Sequence, residues 1–318
     1  MQGRVIFGRQ GKKDIFASEF NPYDMHRYLN IALAALLVLA CIFGCQPISY
    51  YRSAGVEIPK DSIEYAGYVE TQRVITTPGA ERIAKVRVRD SGLSMDCSYP
   101  DVLNIARRKA RTIGGNLLVV TEKKQYQTKS KCFRLIGDIY KVPSLEGMEA
   151  QISWHPKRPL LAGDLRAAAP GNSTGLPALS CLFTCKTKGD YFNEVILRSE
   201  TLFFCDSSWL PADPAQRAFL LRRAQLHFDL AETHVRRVKA ALTALGRDLP
   251  AITGQNRSLT EKQWAEFKKQ AAALDAELSG PDPAAALQRW ENLVRGELAA
   301  TEKYFGDQII DLHKPKRK

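Results

Sequence analysis

The chain has 318 residues, of which 45% are hydrophobic, and it carries a formal net charge of +12. This apolar fraction is sufficient for two modest domains. A basic chain can bind nucleic acid, anionic lipids or cell-wall acids. The secretion signal described next argues against nucleic acid and leaves components of a bacterial envelope as the expected partners.

The first recognisable segment is an apolar run with the features of a bacterial lipoprotein signal peptide. Residues 29–43 are almost wholly apolar, and this length suits a signal peptide better than a membrane span. Gly44-Cys45 supplies the small residue and the cysteine that lipoprotein processing needs, so we expect lipidation at Cys45. Cys41 is the competing acceptor, and a plain transmembrane anchor is the alternative for the whole segment.

The same region predicts the cellular compartment. Residues 1–44 form the expected signal peptide with an upstream extension from a misplaced start, and residues 45–60 form the expected tether. A lipidated cysteine anchors a protein stably to a membrane. Gln46, not aspartate, follows that cysteine, which resembles the sorting signal of outer-membrane lipoproteins. We therefore expect a protein anchored to the bacterial outer membrane on its periplasmic face.

Residues 61–145 have the pattern of a small α+β domain with the element order β-α-β-β. Strands are predicted over residues 84–88, 116–121 and 133–142, and a helix is predicted from Tyr99 to the glycine pair at Gly114. Cys97 precedes this helix and Cys132 opens the last strand. A Cys97–Cys132 disulfide would clip the start of the helix to the sheet, and an oxidising envelope favours such bonds.

This small domain resembles the envelope domain of Rcs-type outer-membrane stress-sensor lipoproteins. The matching features are the cysteine before the helix, the run Ala110-x-x-Ile113-Gly114-Gly115-Asn116, and Cys132 before Ile136-Gly137-Asp138-Ile139-Tyr140. The resemblance covers about fifty residues, roughly 90–142. It implies recognition or spacing as the task of this domain, since no catalytic constellation appears in it.

Three further cysteines lie in residues 146–318. Cys181 and Cys185 alternate with Phe183 in a strand-like run, so they share one face but lie too far apart along the strand to bond each other. Cys205 is therefore expected to pair with Cys181 or with Cys185. A structural zinc site is the alternative for these thiols.

The remaining elements of residues 146–318 are strands followed by three helices and a basic tail. Strands are expected between 178 and 209. The long first helix has Asp213 as its N-cap and Gly246 as its terminator. Ser258 and Glu261 form a capping box that predicts the start of the second helix. The third is predicted from Asp282-Pro283 to about Leu312.

The long helix carries a degenerate version of a zinc-protease motif. A His-Glu-x-x-His helix places two histidines on one metal and a glutamate beside them as general base. Here the positions read Arg223, Ala224 and His227. Arginine cannot ligate zinc and alanine cannot accept a proton. The helical spacing turns His227 inward, so it is interpreted as a core histidine, or as a ligand in a site assembled with Glu232 or His234.

The region from about 152 to 244 resembles a bacterial family of secreted proteins that are predicted zinc peptidases. The matching features are Trp154, the run from Leu202 to Trp209, and the pattern Leu220-Leu221-x-x-x-Gln225-x-His227-Phe228-Asp229-x-x-Glu232. The resemblance implies a zincin-like scaffold. It does not carry the activity over, because two of the three functional motif positions differ.

Together these observations predict an α+β protein in which a small disulfide-clipped domain precedes a zincin-like domain. The predicted function is that of a non-catalytic envelope lipoprotein with a binding or interaction role, without a metal or another cofactor. The expected partners are the membrane, envelope proteins, anionic lipids or cell-wall components. Two alternatives stay open, namely an active zinc metallopeptidase with substitute ligands and a stress-signalling or structural lipoprotein.

Overall fold

The structure is a computed structural model, and it describes most of the chain beyond the predicted signal peptide. The described residues are 48–52 (backbone), 64–71, 75–88, 98–125, 132–169, 176–188, 193–211 and 213–313. The predicted lipidation site Cys45, its competitor Cys41 and the predicted disulfide partner Cys97 lie outside these ranges. Residues 47–318 form one compact unit. The α+β class is confirmed, because both helices and sheets build this unit.

The first half of the unit is a five-stranded sheet, which we call sheet A. Its strands are β1 (Ile48–Arg52), β2 (Gly67–Glu70), β3 (Glu81–Val88), β4 (Leu117–Gln125) and β5 (Phe133–Lys141). Their order across the sheet is β1-β3-β5-β4-β2, and only the β2–β4 pair is parallel. The predicted β-α-β-β order is present as β3, a helix, β4 and β5. The predicted tether over 45–60 was wrong for residues 48–52, which pair with β3 as an edge strand.

The helix between β3 and β4, α1 (Tyr99–Thr112), begins and packs as its sequence predicts. The Ser98 backbone N–H donates to Asp101 Oδ2 at 3.1 Å, which is one half of a capping box. Apolar side chains one turn apart, including Val102, Ala106 and Ala110, are buried against sheet A. The opposite face of α1 is polar and points toward the second sheet, where the cleft described below lies.

The second sheet, sheet B, is antiparallel and centred on one long strand. Its members are β6 (Gln151–Ser153), β7 (Cys181–Lys188), β8 (Glu194–Phe204) and β9 (Gln308–Asp311). Strand β7 follows one edge of β8 along most of its length. Strands β6 and β9 pair with the two ends of the opposite edge. Strand β9 brings the end of the described chain back into the sheet.

Three long helices cover one face of sheet B. They are α2 (Pro214–Ala244), α3 (Leu249–Leu278) and α4 (Pro283–Ala300). Helix α2 packs against the sheet and against both other helices, and its core residues Leu230, Val235, Val238 and Leu242 are fully or almost fully buried. Gly246 has a φ of +68°, the left-handed conformation of a helix terminator, as its position predicted.

Two helix boundaries differ from the prediction. Helix α3 begins nine residues before Ser258, because the Asp248 side chain accepts a hydrogen bond from the Ala251 N–H and Ile252 is fully buried in the core. Helix α4 ends at Ala300 and does not reach Leu312. A short turn and Gly306, with a φ of +71°, redirect the chain into β9.

The predicted disulfide between Cys205 and Cys181 or Cys185 was wrong, because all three are free thiols. Cys181 lies opposite Phe203 in the β7–β8 pair, which makes it a diagonal neighbour of Cys205. Diagonal neighbours are separated by about 7–8 Å, more than the roughly 4.4–6.8 Å between the Cα atoms of a disulfide. Cys185 lies farther away, opposite Ser199. Burial raises the pKa of Cys185 to about 11 and that of Cys205 to about 12, so both behave as inert core thiols.

One partner of the other predicted disulfide, Cys132, lies within the described residues. Cys132 is disulfide-bonded. Because Cys97 lies outside the described residues, the Cys97–Cys132 pairing stays a prediction. Among the described residues, no helix is both long enough and apolar enough to span a membrane.

A buried polar network joins the two sheets along the segment between them. Tyr65 donates its hydroxyl hydrogen bond to Glu149 Oε1 at 2.6 Å, and Arg158 Nε donates to Glu149 Oε2 at 2.9 Å. The same guanidinium makes a two-pronged contact with Asp164, at 2.9 Å for each bond. All four side chains are less than a tenth exposed. A buried network with this degree of hydrogen bonding rigidifies the connection between the layers.

Candidate functional site

The degenerate motif lies in the interior of the helical layer. Arg223 is 4% exposed, His227 is 6% exposed and Ala224 is not exposed at all. Ala224 packs in an apolar cluster with Phe203 and Phe228. The position that would hold the general base in an intact motif is therefore part of the hydrophobic core. A glutamate there would bury a carboxylate among aromatic rings, which is costly without a partner.

Arg223 and His227 share one carboxylate partner, Asp275 of α3. Arg223 Nε and Nη2 donate to Asp275 Oδ1 and Oδ2 at 2.7 and 2.8 Å, in the two-pronged geometry of a strong arginine–carboxylate pair. His227 Nε2 lies 2.9 Å from Asp275 Oδ1. Arg223 Nη1 donates to the Pro177 carbonyl at 2.7 Å, so three of its nitrogens are hydrogen-bonded.

The charges around Asp275 fix its ionisation state. Partial burial raises the pKa of this carboxyl, but the hydrogen bonds and charges of His227 and Arg223 outweigh burial and lower the pKa to about 2. Asp275 is therefore an anion at any physiological pH and neutralises the buried guanidinium. The arrangement fits an internal ion pair that ties α2 to α3. The interpretation of His227 as a core histidine agrees with this geometry.

The two possible accessory ligands do not meet His227 at a common site. Glu232 accepts hydrogen bonds from Thr201 Oγ1 at 2.7 Å and from Arg236 Nε at 2.8 Å. His234 stacks on Phe183 and lies 2.8 Å from Oε1 of Gln263. Within the ranges that the structure describes, no group of three histidine, cysteine or acidic side chains is placed to hold a metal ion.

A second candidate site is a cleft between α1 and the face of sheet B that the helices leave open. Its volume is about 310 Å³, near the lower limit of the cavities that hold small molecules. Its walls come from six segments of the chain. They are Asn104, Arg107, Arg108 and Arg111 of α1, Tyr65 and Ala66 before β2, Ser153 to His155 at the end of β6, Arg198 to Thr201 of β8, Glu232 of α2, and Phe305 to Asp307 of the turn before β9.

One wall of the cleft carries a cluster of three arginines from α1. Residues three and four apart lie on one helix face, which brings Arg107, Arg108 and Arg111 together at the cleft. Burial lowers the pKa of Arg111, and the neighbouring charges of Arg107 and Arg108 lower it further. Among the described residues, no carboxylate lies within salt-bridge distance of Arg108 or Arg111. The wall therefore carries a positive charge that the described part of the chain does not neutralise.

Arg107 is the fixed member of this cluster. Its Nε donates to the Ala66 carbonyl at 2.7 Å, and its Nη1 donates to Ser153 Oγ at 2.9 Å. Glu200 lies 3.7 Å from the same guanidinium, and the ring of Tyr65 lies beneath it, with 5.5 Å from the guanidinium carbon to the ring centre. Arg107 thus bridges the two sheets and positions the wall of the cleft.

The opposite part of the cleft is aromatic. The His155 ring lies 5.7 Å from Tyr65 and 5.5 Å from Phe305, measured between ring centres. Trp154 meets Phe305 edge to face at 5.7 Å. Burial lowers the pKa of His155, and the positive charges of Arg111 and Arg107 act in the same direction although Glu64 opposes them. His155 is therefore a neutral ring at neutral pH, and the wall presents flat apolar surfaces.

The cleft was not predicted from the sequence, although the sequence contains part of the residue pattern that forms it. Two of the arginines, Arg107 and Arg111, are four residues apart on a helix that was predicted correctly, which places both on its polar face. Trp154 was noted only as part of a family resemblance. The sequence contains no signal that these residues face Glu200 and Phe305, because that contact depends on how the two sheets pack.

Comparison of the chain with family models, with curated proteins and with solved structures finds no match.

Proposed function

We propose that the protein is a non-catalytic lipoprotein of the bacterial envelope that binds a ligand or partner through the cleft between α1 and sheet B. The observation that carries this proposal is the Arg223–Asp275–His227 ion pair. A hydrolytic zinc site needs ligands and a base around an open coordination position. Here Arg223 and His227 are both bound to Asp275, and Ala224 lies in the core.

Electrostatic repulsion by Arg223 also argues against a zinc ion at the motif. Arg223 stays protonated and would place its positive charge where a zinc ion would sit. Two unit charges about 4 Å apart repel by roughly 4 kcal/mol at an effective dielectric constant near 20, and a dication roughly doubles this. Asp275 already compensates the arginine and is not left over for a metal. These terms weigh against the alternative of an active metallopeptidase with substitute ligands.

The lipid anchor and the outer-membrane location belong to the same proposal. The support for them is the apolar segment that ends in Gly44-Cys45. An anchor at this position would leave residues 47–318 as one compact unit at the membrane surface.

Zinc content and peptidase activity of the purified protein test the proposal. Elemental analysis is expected to find zinc far below one ion per chain, and a broad peptide-cleavage screen is expected to find no chelator-sensitive activity. Stoichiometric zinc together with cleavage that is lost in His227→Ala would overturn the proposal. His313→Ala is the matched control, because it removes an exposed histidine far from α2 in sequence.

A gain-of-function variant tests the scaffold separately. Arg223→His and Ala224→Glu together would restore the intact motif on α2. Zinc binding by this double variant would support a peptidase-like scaffold that does not bind zinc in the native protein. Failure to bind zinc in a variant that still unfolds cooperatively would argue that the helix does not present the motif in zincin geometry.

A further inference from the structure

We infer that the cleft between α1 and sheet B binds a small molecule that combines a flat ring with a carboxylate or phosphate group. This inference rests on the proposed binding function and names the class of ligand. It starts from the opposite chemical character of the two walls. One wall presents guanidinium groups from α1, and the other presents the rings of Trp154, His155 and Phe305.

The arginine wall suits an oxyanion rather than a neutral group. Guanidinium groups match carboxylate and phosphate oxygens with two parallel hydrogen bonds. Arg108 is exposed and Arg111 half-buried, and neither has a carboxylate within salt-bridge distance among the described residues. Burial lowers the pKa of Arg111, and the positive charges of Arg107 and Arg108 lower it further. A bound oxyanion would relieve this repulsion and supply the missing counter-charge.

The acidic residues of the cleft do not cancel this charge. Glu232 is bonded to Thr201 and Arg236, and Asp307 is paired with Arg198 at 3.2 Å. Glu200 accepts a hydrogen bond from Ser153 Oγ at 3.1 Å and faces Arg107. Each carboxylate therefore already has a partner, and none of the three is within salt-bridge distance of Arg108 or Arg111.

The aromatic wall selects the rest of the ligand. Tyr65 and Phe305 flank His155 with ring centres 5.7 and 5.5 Å away, and Trp154 meets Phe305 edge to face at 5.7 Å, so the wall offers ring surfaces against which an added ring can pack. Arg236 lies over Trp154 at 4.9 Å and over Phe305 at 5.3 Å, which supports these rings from behind. The volume of about 310 Å³ limits the occupant to a small molecule.

Calorimetric titration of the full-length protein with phenyl phosphate and with benzoate tests this inference. For probes of about ten non-hydrogen atoms, we expect a Kd on the order of 1 mM. The tighter of the two probes identifies whether phosphate or carboxylate is preferred. Benzyl alcohol is the neutral comparison and is expected to give no saturable heat. Binding should weaken several-fold at high salt, because the cluster is open to solvent.

Variants of the two outer arginines locate the site. Arg108→Ala and Arg111→Ala should each raise the Kd about tenfold, and Arg111→Lys should fall between wild type and alanine because lysine lacks the planar fork. Arg257→Ala is the matched control, since its side chain is 90% exposed on α3 and outside the cleft. Thermal melting of each variant checks that the fold is retained.

Three results would overturn the inference. They are no saturable binding of either anionic probe at about twenty times the expected Kd, equal binding of benzyl alcohol, and unchanged affinity in the Arg108→Ala, Arg111→Ala double variant. These outcomes are separate from those of the zinc test, because the probes contain no peptide bond and the motif positions Arg223, Ala224 and His227 do not line the cleft. A protein that holds no metal and binds neither probe would refute this inference and leave the proposed function standing.

Discussion

Asp275 is the residue whose removal tests the motif interpretation most directly. Asp275→Asn keeps the size of the side chain and removes the charge that Arg223 and His227 share. The pKa of Asp275 is about 2, compared with an ordinary value of 3.8. A difference of nearly two pKa units corresponds to about 2.5 kcal/mol of folding free energy. Because 33% of this side chain is exposed, solvent screening lowers the expected loss to about 1.5–2 kcal/mol.

The pH dependence of this loss has a definite sign. The pKa of Asp275 is lower in the folded chain than in the unfolded chain, so its ionised form is stabilised by folding. The stabilisation is fully present above about pH 4 and is lost as the pH falls toward about 2. Wild type and Asp275→Asn should therefore differ most at pH 5 and above and converge between about pH 4 and 2.

Urea denaturation at a series of pH values measures this difference. Glu277→Gln is the matched control, because Glu277 lies on the same helix but pairs with Arg289 at the surface, where both side chains are more than 40% exposed. Such a surface pair contributes at most about 1 kcal/mol. Equal destabilisation by Asp275→Asn and Glu277→Gln, or a difference that persists unchanged to pH 2, would refute the reasoning that Asp275 neutralises a buried guanidinium.

Three further predictions concern other parts of the chain. Burial raises the pKa of Asp229 to about 6, although hydrogen bonds from Trp154 and Gln225 act in the opposite direction. The folded chain therefore favours the protonated carboxyl, and wild type should lose about 2 kcal/mol of folding free energy relative to Asp229→Asn as the pH rises from 4 to 7. Parallel stability curves in urea would contradict this. Radiolabelled palmitate should enter wild type and be absent from Cys45→Ala, whereas loss of label only in Cys41→Ala would move the cleavage site. Non-reducing peptide mapping should recover Cys97 linked to Cys132, a bridge worth roughly 3–4 kcal/mol for a loop of about 35 residues, and free thiols at both positions would exclude it.

The secondary structure of α1 and α2 could be predicted because its determinants are close together in the sequence. The apolar stripe of α1, the Asp213 cap of α2 and the glycine at 246 act within a few residues of the elements they define. Strands were also predicted between residues 178 and 209, where β7 and β8 lie. Local propensities and caps need no knowledge of the rest of the fold.

The two helix boundaries that were predicted wrongly lie where tertiary contacts override a local sequence pattern. The capping box at Ser258 and Glu261 is a genuine local pattern, but burial of Ile252 against the core extends the helix through it. Residues 308–311 continue a helical pattern, yet they pair with β8 as a strand. In both cases burial of apolar surface and hydrogen bonding to a distant segment outweigh the preference of the local sequence.

The sequence by itself determined that the zinc motif is degenerate, because arginine and alanine stand at positions 223 and 224 whatever the fold. Only the tertiary structure decided what replaces the metal, since Asp275 is 52 residues away from Arg223 along the chain and reaches it through the packing of α3 on α2. The cleft has the same origin. The arginines are visible on α1, but the rings they face come from segments whose approach is set by the packing of the two sheets, which the buried hydrogen bonds of Tyr65 and Arg158 to Glu149 hold together.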